Sequence, residues 1–277
     1  MVEQRGSATA LSVAGIRAME SEKPPEERLF VDPYARQFAG EAGMHFATKA
    51  RQIVPEILRR VALRTRFIDD YVRACIREGI SQTVIFGAGY DARAYRIEEL
   101  QPEARVFEID HPATAALKRK KVEKIFGGFP SRVAYIAIDF LEETYTDLEG
   151  KLRSGGYDPQ HTTLFILEGL ISYLDRESVD QLLRFIAAFS GPGSAIVLNY
   201  TDLEKRGEKF GRLMEQNARG GEPMTFSIDP AGLEEMLRQR GFDQIATVSL
   251  AELELQYYGE SIMEDLAHHF TTARSRG

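Results

Sequence analysis

The stretch Val84-Ile85-Phe86-Gly87-Ala88-Gly89-Tyr90-Asp91-Ala92-Arg93 constrains this chain most, because a short apolar run meets Gly-x-Gly and a helical pattern follows. Glycines at such a junction allow a tight strand-to-helix turn and let a ligand lie directly against main-chain atoms. The same spacing, closed by Ala92, also suits a dinucleotide-binding turn. Alone, it specifies a β–α junction and leaves the ligand open.

Three later apolar runs narrow the choice, since each ends on an acid: Val106-Phe107-Glu108-Ile109-Asp110, Ala137-Ile138-Asp139-Phe140 and Phe165-Ile166-Leu167-Glu168-Gly169. In an open parallel sheet the carboxyl ends of the strands border one crevice. Asp110, about 20 residues past the glycines, is spaced to accept hydrogen bonds from both ribose hydroxyls of an adenosine. Asp139 is placed to take the adenine amino group, with Phe140 packing on the base. Any one of these acids alone reads equally well as a solvated loop residue or a helix cap. Together the carboxylates favour a ligand that carries positive charge and disfavour a pyrophosphate.

The surrounding pattern predicts an α/β protein with a doubly wound, mostly parallel, Rossmann-like sheet of seven strands. Strands are expected at 83–86, 105–109, 133–138, 163–167 and 195–200, with 245–250 and 269–274 as an antiparallel pair at one edge. Helical patterns lie between them at 92–100, 112–126 and 176–189, and Asp229-Pro230 caps a further helix that ends at Gly241. Before residue 80 the signals are helical. Asp32-Pro33 reads as a cap and first turn with Gly40 as the stop, and a long helix runs from Pro55 to Gly79. We therefore expect residues 1–79 to form a helical lid and residues 80–277 the sheet-bearing core of one structural domain.

Arg64 falls on the apolar stripe of that long helix, between Val61 and Ile68. A buried arginine needs an anionic partner. The partner is either Asp69 or Asp70 in a structural ion pair, or a ligand carboxylate gripped by the guanidinium fork. An adenosine, a cationic centre and an amino-acid carboxylate together describe S-adenosylmethionine. Cys75, the one cysteine, lies on the same stripe and reads as a small core side chain, so a disulfide framework is excluded.

Charge excludes other classes. The chain carries 35 basic and 42 acidic residues, a net charge of −7, which argues against a phosphate-tracking surface. The basic run Lys118-Arg119-Lys120-Lys121 reads as a solvated helix face and not a nucleic-acid patch. Adjacent His268 and His269 would point to opposite faces of a strand, so a metal site is not expected. The opening Met1-Val2-Glu3-Gln4-Arg5-Gly6 has no apolar run of the secretory kind, and no stretch approaches a membrane span; a cytoplasmic protein without membrane or nucleic-acid partners is expected.

With these residues assembled, the sequence resembles the leucine carboxyl methyltransferase family of S-adenosylmethionine-dependent enzymes, and within it the bacterial branch that includes polyketide carboxyl O-methyltransferases. The motifs are Arg28-Leu29-Phe30-Val31-Asp32-Pro33-Tyr34-Ala35, Arg64-Thr65-Arg66-Phe67-Ile68-Asp69-Asp70, the glycine turn, Phe107-Glu108-Ile109-Asp110 and Leu167-Glu168-Gly169-Leu170-Ile171-Ser172-Tyr173-Leu174. The resemblance implies a class I methyltransferase fold. It also implies that Arg64 holds the methionine carboxylate, Gly87 and Gly89 form the backbone turn, and Asp110 takes the ribose. Asp139 and Phe140 would then bind the adenine, with Glu168 near the amino group and Tyr173 at the acceptor pocket. Ala92 stands where relatives often have threonine.

The chemistry implied is in-line methyl transfer to a carboxylate, which is ionised near neutral pH and needs no base. A phenol would need one, and no histidine is evidently placed for it. Arg28 or Arg36 could anchor an acceptor carboxylate, although each reads more simply as a surface or structural arginine. The acceptor is expected to be a small carboxylic acid; a protein carboxyl terminus is the alternative. An NAD-dependent oxidoreductase would use the same turn, but the chain has no Tyr-x-x-x-Lys pair. A non-catalytic relative that keeps the crevice is the reading from a different class.

Overall fold

Strands rich in apolar side chains without polar alternation are stable only when both faces are covered, and the central sheet follows this rule. In the computed structural model, which describes residues 6–100, 104–263 and 265–276, the strands are β1 (Gln82–Phe86), β2 (Arg105–Asp110), β3 (Val133–Ala137), β4 (Thr163–Leu167), β5 (Ala195–Thr201), β6 (Phe242–Ser249) and β7 (His268–Ser275). Their order is β3-β2-β1-β4-β5-β7-β6. The first five run parallel, and β7 pairs antiparallel with both β5 and β6. The reversal between β1 and β4 opens the crevice expected at such a switch point.

The helices are α1 (Ala8–Ser21), α2 (Ala35–Ile53), α3 (Ile57–Arg77), α4 (Arg93–Arg96), α5 (Pro112–Phe126), α6 (Tyr145–Ser154), α7 (Arg176–Ala188), α8 (Glu208–Arg219), α9 (Pro230–Gln239) and α10 (Leu250–Tyr258). One face of the sheet packs Phe86, Phe107, Phe165 and Leu198 against Leu148 of α6, Leu183 of α7 and Leu237 of α9. The other face packs Ile85, Val106, Ile166 and Val197 against Ile68, Val72 and Cys75 of α3. A separate apolar cluster of Ile16, Ala47, Ala50, Ile57, Val61 and Leu213 joins α1, α2, α3 and α8. Each fully buried aliphatic side chain contributes about 1.5–3 kcal/mol. Burial also pushes the Cys75 thiol up to about 11, in keeping with its core position.

Several local expectations need correction. Asp32-Pro33 does not start a helix: α2 begins at Ala35, and Asp32 is turned inward, where its Oδ2 lies 3.0 Å from Nε of Arg17. Gly40 kinks α2 at φ +62 instead of ending it. The helix expected at 92–100 is only α4 followed by a single turn at Glu98–Leu100. The strand expected at 245–250 begins three residues earlier, at Phe242, and the expected antiparallel pair does lie at one edge, with β6 outermost and β7 between it and β5. Helices α1, α6, α8 and α10 were not distinguished from the pattern. The basic run is not uniformly solvated either: Lys118 is 2% exposed, and its Nζ lies 2.8 Å from Glu108 Oε2. The helical phase of α5 turns that one lysine toward β2, and burial of Glu108 demands the cation. Among the described residues, no helix is long and apolar enough to cross a membrane; Met1–Arg5 lie outside the described residues.

Candidate active site

At the end of β1 the chain turns through Gly87 (φ +62) and Gly89 (φ +44). A Cβ on Gly87 would come within 3.1 Å of Leu170 Cδ1, so the turn needs both the positive φ and the missing side chain. Asp110, at the end of β2, accepts from the Gly89 N–H and, at 2.7 Å, from the His111 N–H. Burial lifts its carboxyl above the ordinary value, against those two backbone donors. Leu170, Asp110, His111, Phe140 and Tyr145 border a hollow of about 460 Å³ over Gly87. Phe140 is 47% exposed, its ring 4.9 Å from that of Tyr145. Asp139 sits beside the hollow with Oδ2 3.3 Å from His111 Nε2. An apolar slot with a carboxylate at its floor and an open aromatic ring can hold a purine nucleoside; His111 rims it.

Beyond Gly87 lies a cluster of charges. Glu168, at the end of β4, has Oε1 2.7 Å from Arg64 Nε and Oε2 2.5 Å from Arg93 Nη1. Arg93, 2% exposed, also reaches Asp91 at 2.5 Å and Asp69 at 2.7 Å. Asp69 holds Arg96 as well, with distances of 2.6 and 2.8 Å. Burial pushes the Glu168 carboxyl up, but Arg93 and Arg64 more than offset it and leave it below the ordinary value. The structure thus brings Arg64 to Glu168 and not to Asp69, which serves Arg93 and Arg96, or to Asp70, which serves Arg66. A guanidinium and a carboxylate side by side are the complements of an amino acid's two charged groups.

A second cavity of about 280 Å³ opens on the other side of Gly169 and Arg64. Ser172 and Tyr173 border it from the turn after β4, and Asn199 from β5, where its Oδ1 accepts the Gly169 N–H at 2.7 Å. Its walls are mostly apolar: Ile16, Phe46, Ile57, Val61, Phe210, Leu213, Met214 and Phe270 among others. Lys49 of α2 stands exposed at its border and makes no ion pair among the described residues, whereas Arg60 is held by Asp265 at 2.7 Å. Burial raises the Tyr173 phenol above its ordinary value.

Arg64, Gly87, Gly89, Asp110, Asp139, Phe140, Glu168 and Tyr173 therefore gather along one edge of the sheet. Arg28 does not: it binds the carbonyls of Ser21 and Lys23 and borders a different surface hollow. Arg36 is paired with Glu22 at the surface. Sequence reasoning missed Lys49, Asn199 and the central part of Arg93. It also found no histidine for the acceptor site, yet His268 borders the cavity. The strand-end position of Asn199 was a usable signal; Lys49 and His268 are far away in the chain and had none.

A model of the leucine carboxyl methyltransferase family matches residues 10–187. A protein of Mycobacterium ulcerans, provisionally named an S-adenosyl-L-methionine-dependent methyltransferase, is 31% identical over 245 residues, covering 81% of this chain and 73% of its own. A similarly named protein of Streptomyces avermitilis is 35% identical over 214 residues, 74% of this chain and 72% of its own. Among solved structures, a DUF574 family protein of Streptomyces avermitilis has a TM-score of 0.70 at 16% identity, covering 99% of this chain and 100% of its own. At that identity the likeness is one of fold. The chain is an S-adenosyl-L-methionine-dependent methyltransferase with a class I fold. It belongs to the leucine carboxyl methyltransferase family, which decides between the two cofactors that suit the glycine turn.

Proposed function

We propose that this enzyme transfers the methyl group to the carboxylate of a small, largely apolar acid held in the cavity bordered by Lys49. The observation that carries this reading is a mostly apolar space of about 280 Å³ next to Gly169 whose bordering Lys49 ammonium is unpaired among the described residues. Arg60 is held by Asp265 and Arg64 is assigned to the cofactor's carboxylate, so Lys49 is the cation left to meet an acceptor's anion.

The residues present fit the cofactor. The 460 Å³ hollow pairs an aromatic ring and apolar walls with the Asp110 carboxylate, as an uncharged nucleoside requires. Asp110 would hold the ribose, Asp139 and Phe140 the adenine, and Gly87 and Gly89 would let the ligand lie against the main chain. Arg64 would take the methionine carboxylate and Glu168 the ammonium. When bound, S-adenosylmethionine supplies a methyl group activated by its sulfonium. The protein's part is to align and to exclude water: α1, α2 and α8 cover the cavity, Tyr173 borders it beside Gly169, and Lys49 fixes the acid end of the acceptor. A carboxylate arrives ionised, so no residue must remove a proton. In this reading residues up to 79 form the lid and the chain from 80 the catalytic core.

The test is methyl transfer from labelled S-adenosylmethionine to a panel of apolar carboxylic acids, their amides, and a peptide with a free carboxyl terminus. Alkali-labile methyl esters on the acids and none on the amides are expected. Transfer to the peptide alone, or to none of the acids, overturns the reading.

A further inference from the structure

The acceptor cavity holds a histidine that carboxylate methylation does not use. His268, the first residue of β7, borders the cavity with its side chain 15% exposed. Its Nδ1 lies 3.0 Å from both oxygens of Asp265. Asp265 is fixed in turn: its Oδ1 accepts the N–H groups of Ala267 and His268 at 3.0 and 3.1 Å, and its Oδ2 meets Arg60 Nη1 at 2.7 Å. The Phe210 ring packs edge-on against the imidazole, with centroids 4.5 Å apart.

These contacts favour one tautomer of the ring. Arg60 Nη1 also lies 3.1 Å from Nδ1 and can only donate. Asp265 presents two acceptor oxygens to the same nitrogen, and a lone pair there would face both. The two carboxylate contacts at 3.0 Å outweigh the guanidinium contact on Nδ1 and favour the proton there, which makes Nε2, with Arg60 Nη1 at 3.5 Å as its one recorded protein neighbour, the accepting nitrogen of the ring. Burial lowers the imidazole's affinity for a second proton; Asp265 raises it, and Arg60 and Arg64, the other charges facing the ring from α3, lower it again. The net direction is down, so the ring is neutral at pH 7. Asp265 is held well below the ordinary carboxylate range, burial notwithstanding, by His268 and Arg60.

We propose that His268, oriented by Asp265, is a general base that lets this same cavity methylate an acidic hydroxyl, a phenol or an enol, as well as a carboxylate. The proposal rests on the cavity being the acceptor site, and not on the acceptor being an acid. The acceptor O–H proton passes to Nε2 while the oxygen's electron pair forms the new bond to the methyl carbon. The bond from that carbon to sulfur breaks with its pair staying on sulfur, S-adenosylhomocysteine leaves, and the imidazolium returns its proton to solvent. Protonated, the ring would sit beside Arg60 with only one carboxylate between them. It is thus a weak base, matched to a phenol with a pKa near about 10 and not to an alkyl alcohol.

The test compares wild type with His268→Gln, which keeps a donor for Asp265 but has no lone pair on a ring nitrogen. Initial rates are measured with a phenol, a naphthol and an apolar carboxylic acid, alongside calorimetric binding of S-adenosylhomocysteine. The variant should lose phenol transfer by roughly 10²–10⁴-fold, with transfer to the acid and homocysteine-nucleoside binding each within about threefold. Wild-type phenol transfer should rise with pH through an apparent pKa below the ordinary histidine value and then level off. ¹⁵N spectroscopy of histidine-labelled protein, with His268 assigned by difference, should show the Nδ1–H form and an Nε2 shift when phenol is added. No phenol transfer by wild type, equal loss on both acceptor types, or an Nε2–H ring overturns the proposal. If the variant fails to bind S-adenosylhomocysteine, the wild-type spectrum alone decides. Phenol transfer without acid transfer would sink the carboxylate reading and leave this one standing.

Discussion

Arg64 Nε lies 2.7 Å from Glu168 Oε1, so a helix of the N-terminal region is tied by an ion pair to the end of β4 in the sheet. The same carboxylate carries Arg93 on its other oxygen. In the proposed reading an arriving amino-acid moiety satisfies both sides of this contact, giving its carboxylate to Arg64 and its ammonium to Glu168. Glu168→Gln should therefore weaken S-adenosylhomocysteine binding about 10–100-fold, the loss of one charge-assisted contact worth about 1.5–3 kcal/mol. Calorimetric titration measures it, and an affinity unchanged from wild type would remove Glu168 from the cofactor site.

The turn after β1 gives a second prediction. Gly87→Ala forces a side chain into φ +62 and brings its Cβ to 3.1 Å from Leu170 Cδ1 on the wall of the 460 Å³ hollow proposed to hold the nucleoside. The backbone strain costs about 1–2 kcal/mol. Stability should fall by that amount in urea unfolding, while cofactor affinity drops more than about tenfold because the wall moves.

Asp69 links the fold to pH. Burial raises its carboxyl, but Arg96 and Arg93 lower it further, and the result lies below the ordinary value. A folded-state pKa below the unfolded one contributes stability that is present above about pH 4 and disappears as pH falls through the folded value. Asp69→Asn leaves two buried guanidiniums under-compensated and should cost about 3–5 kcal/mol near neutrality. Urea unfolding at a series of pH values should show the gap between wild type and variant closing below about pH 4; a constant gap would contradict the ion-pair account.

Lys49 should affect binding of the acceptor and not the transfer step. Lys49→Ala removes an exposed cation worth about 1 kcal/mol to an anion, so KM for an acid substrate should rise roughly fivefold with kcat unchanged. The KM of the phenol substrate should not move. Steady-state kinetics with both acceptors separates the two.

The sequence determined what depends on near neighbours in the chain. Apolar runs gave the five parallel strands, the Gly87–Gly89 spacing gave the turn, and the acids at 110, 139 and 168 were bound to share one edge once those strands lay parallel. Tertiary structure decided what depends on partners far apart in the chain. Lys118 carries the same charge as its neighbours, and only the fold selects it to neutralise Glu108. Arg64 had two acids within a helical turn or two and found a third across the sheet edge. The 280 Å³ cavity joins Lys49 of α2, Phe210 of α8 and His268 of β7, and no periodicity connects those positions. Periodicity and turn chemistry act over a few residues; the choice of a charge's partner is made by desolvation, which only the folded chain imposes.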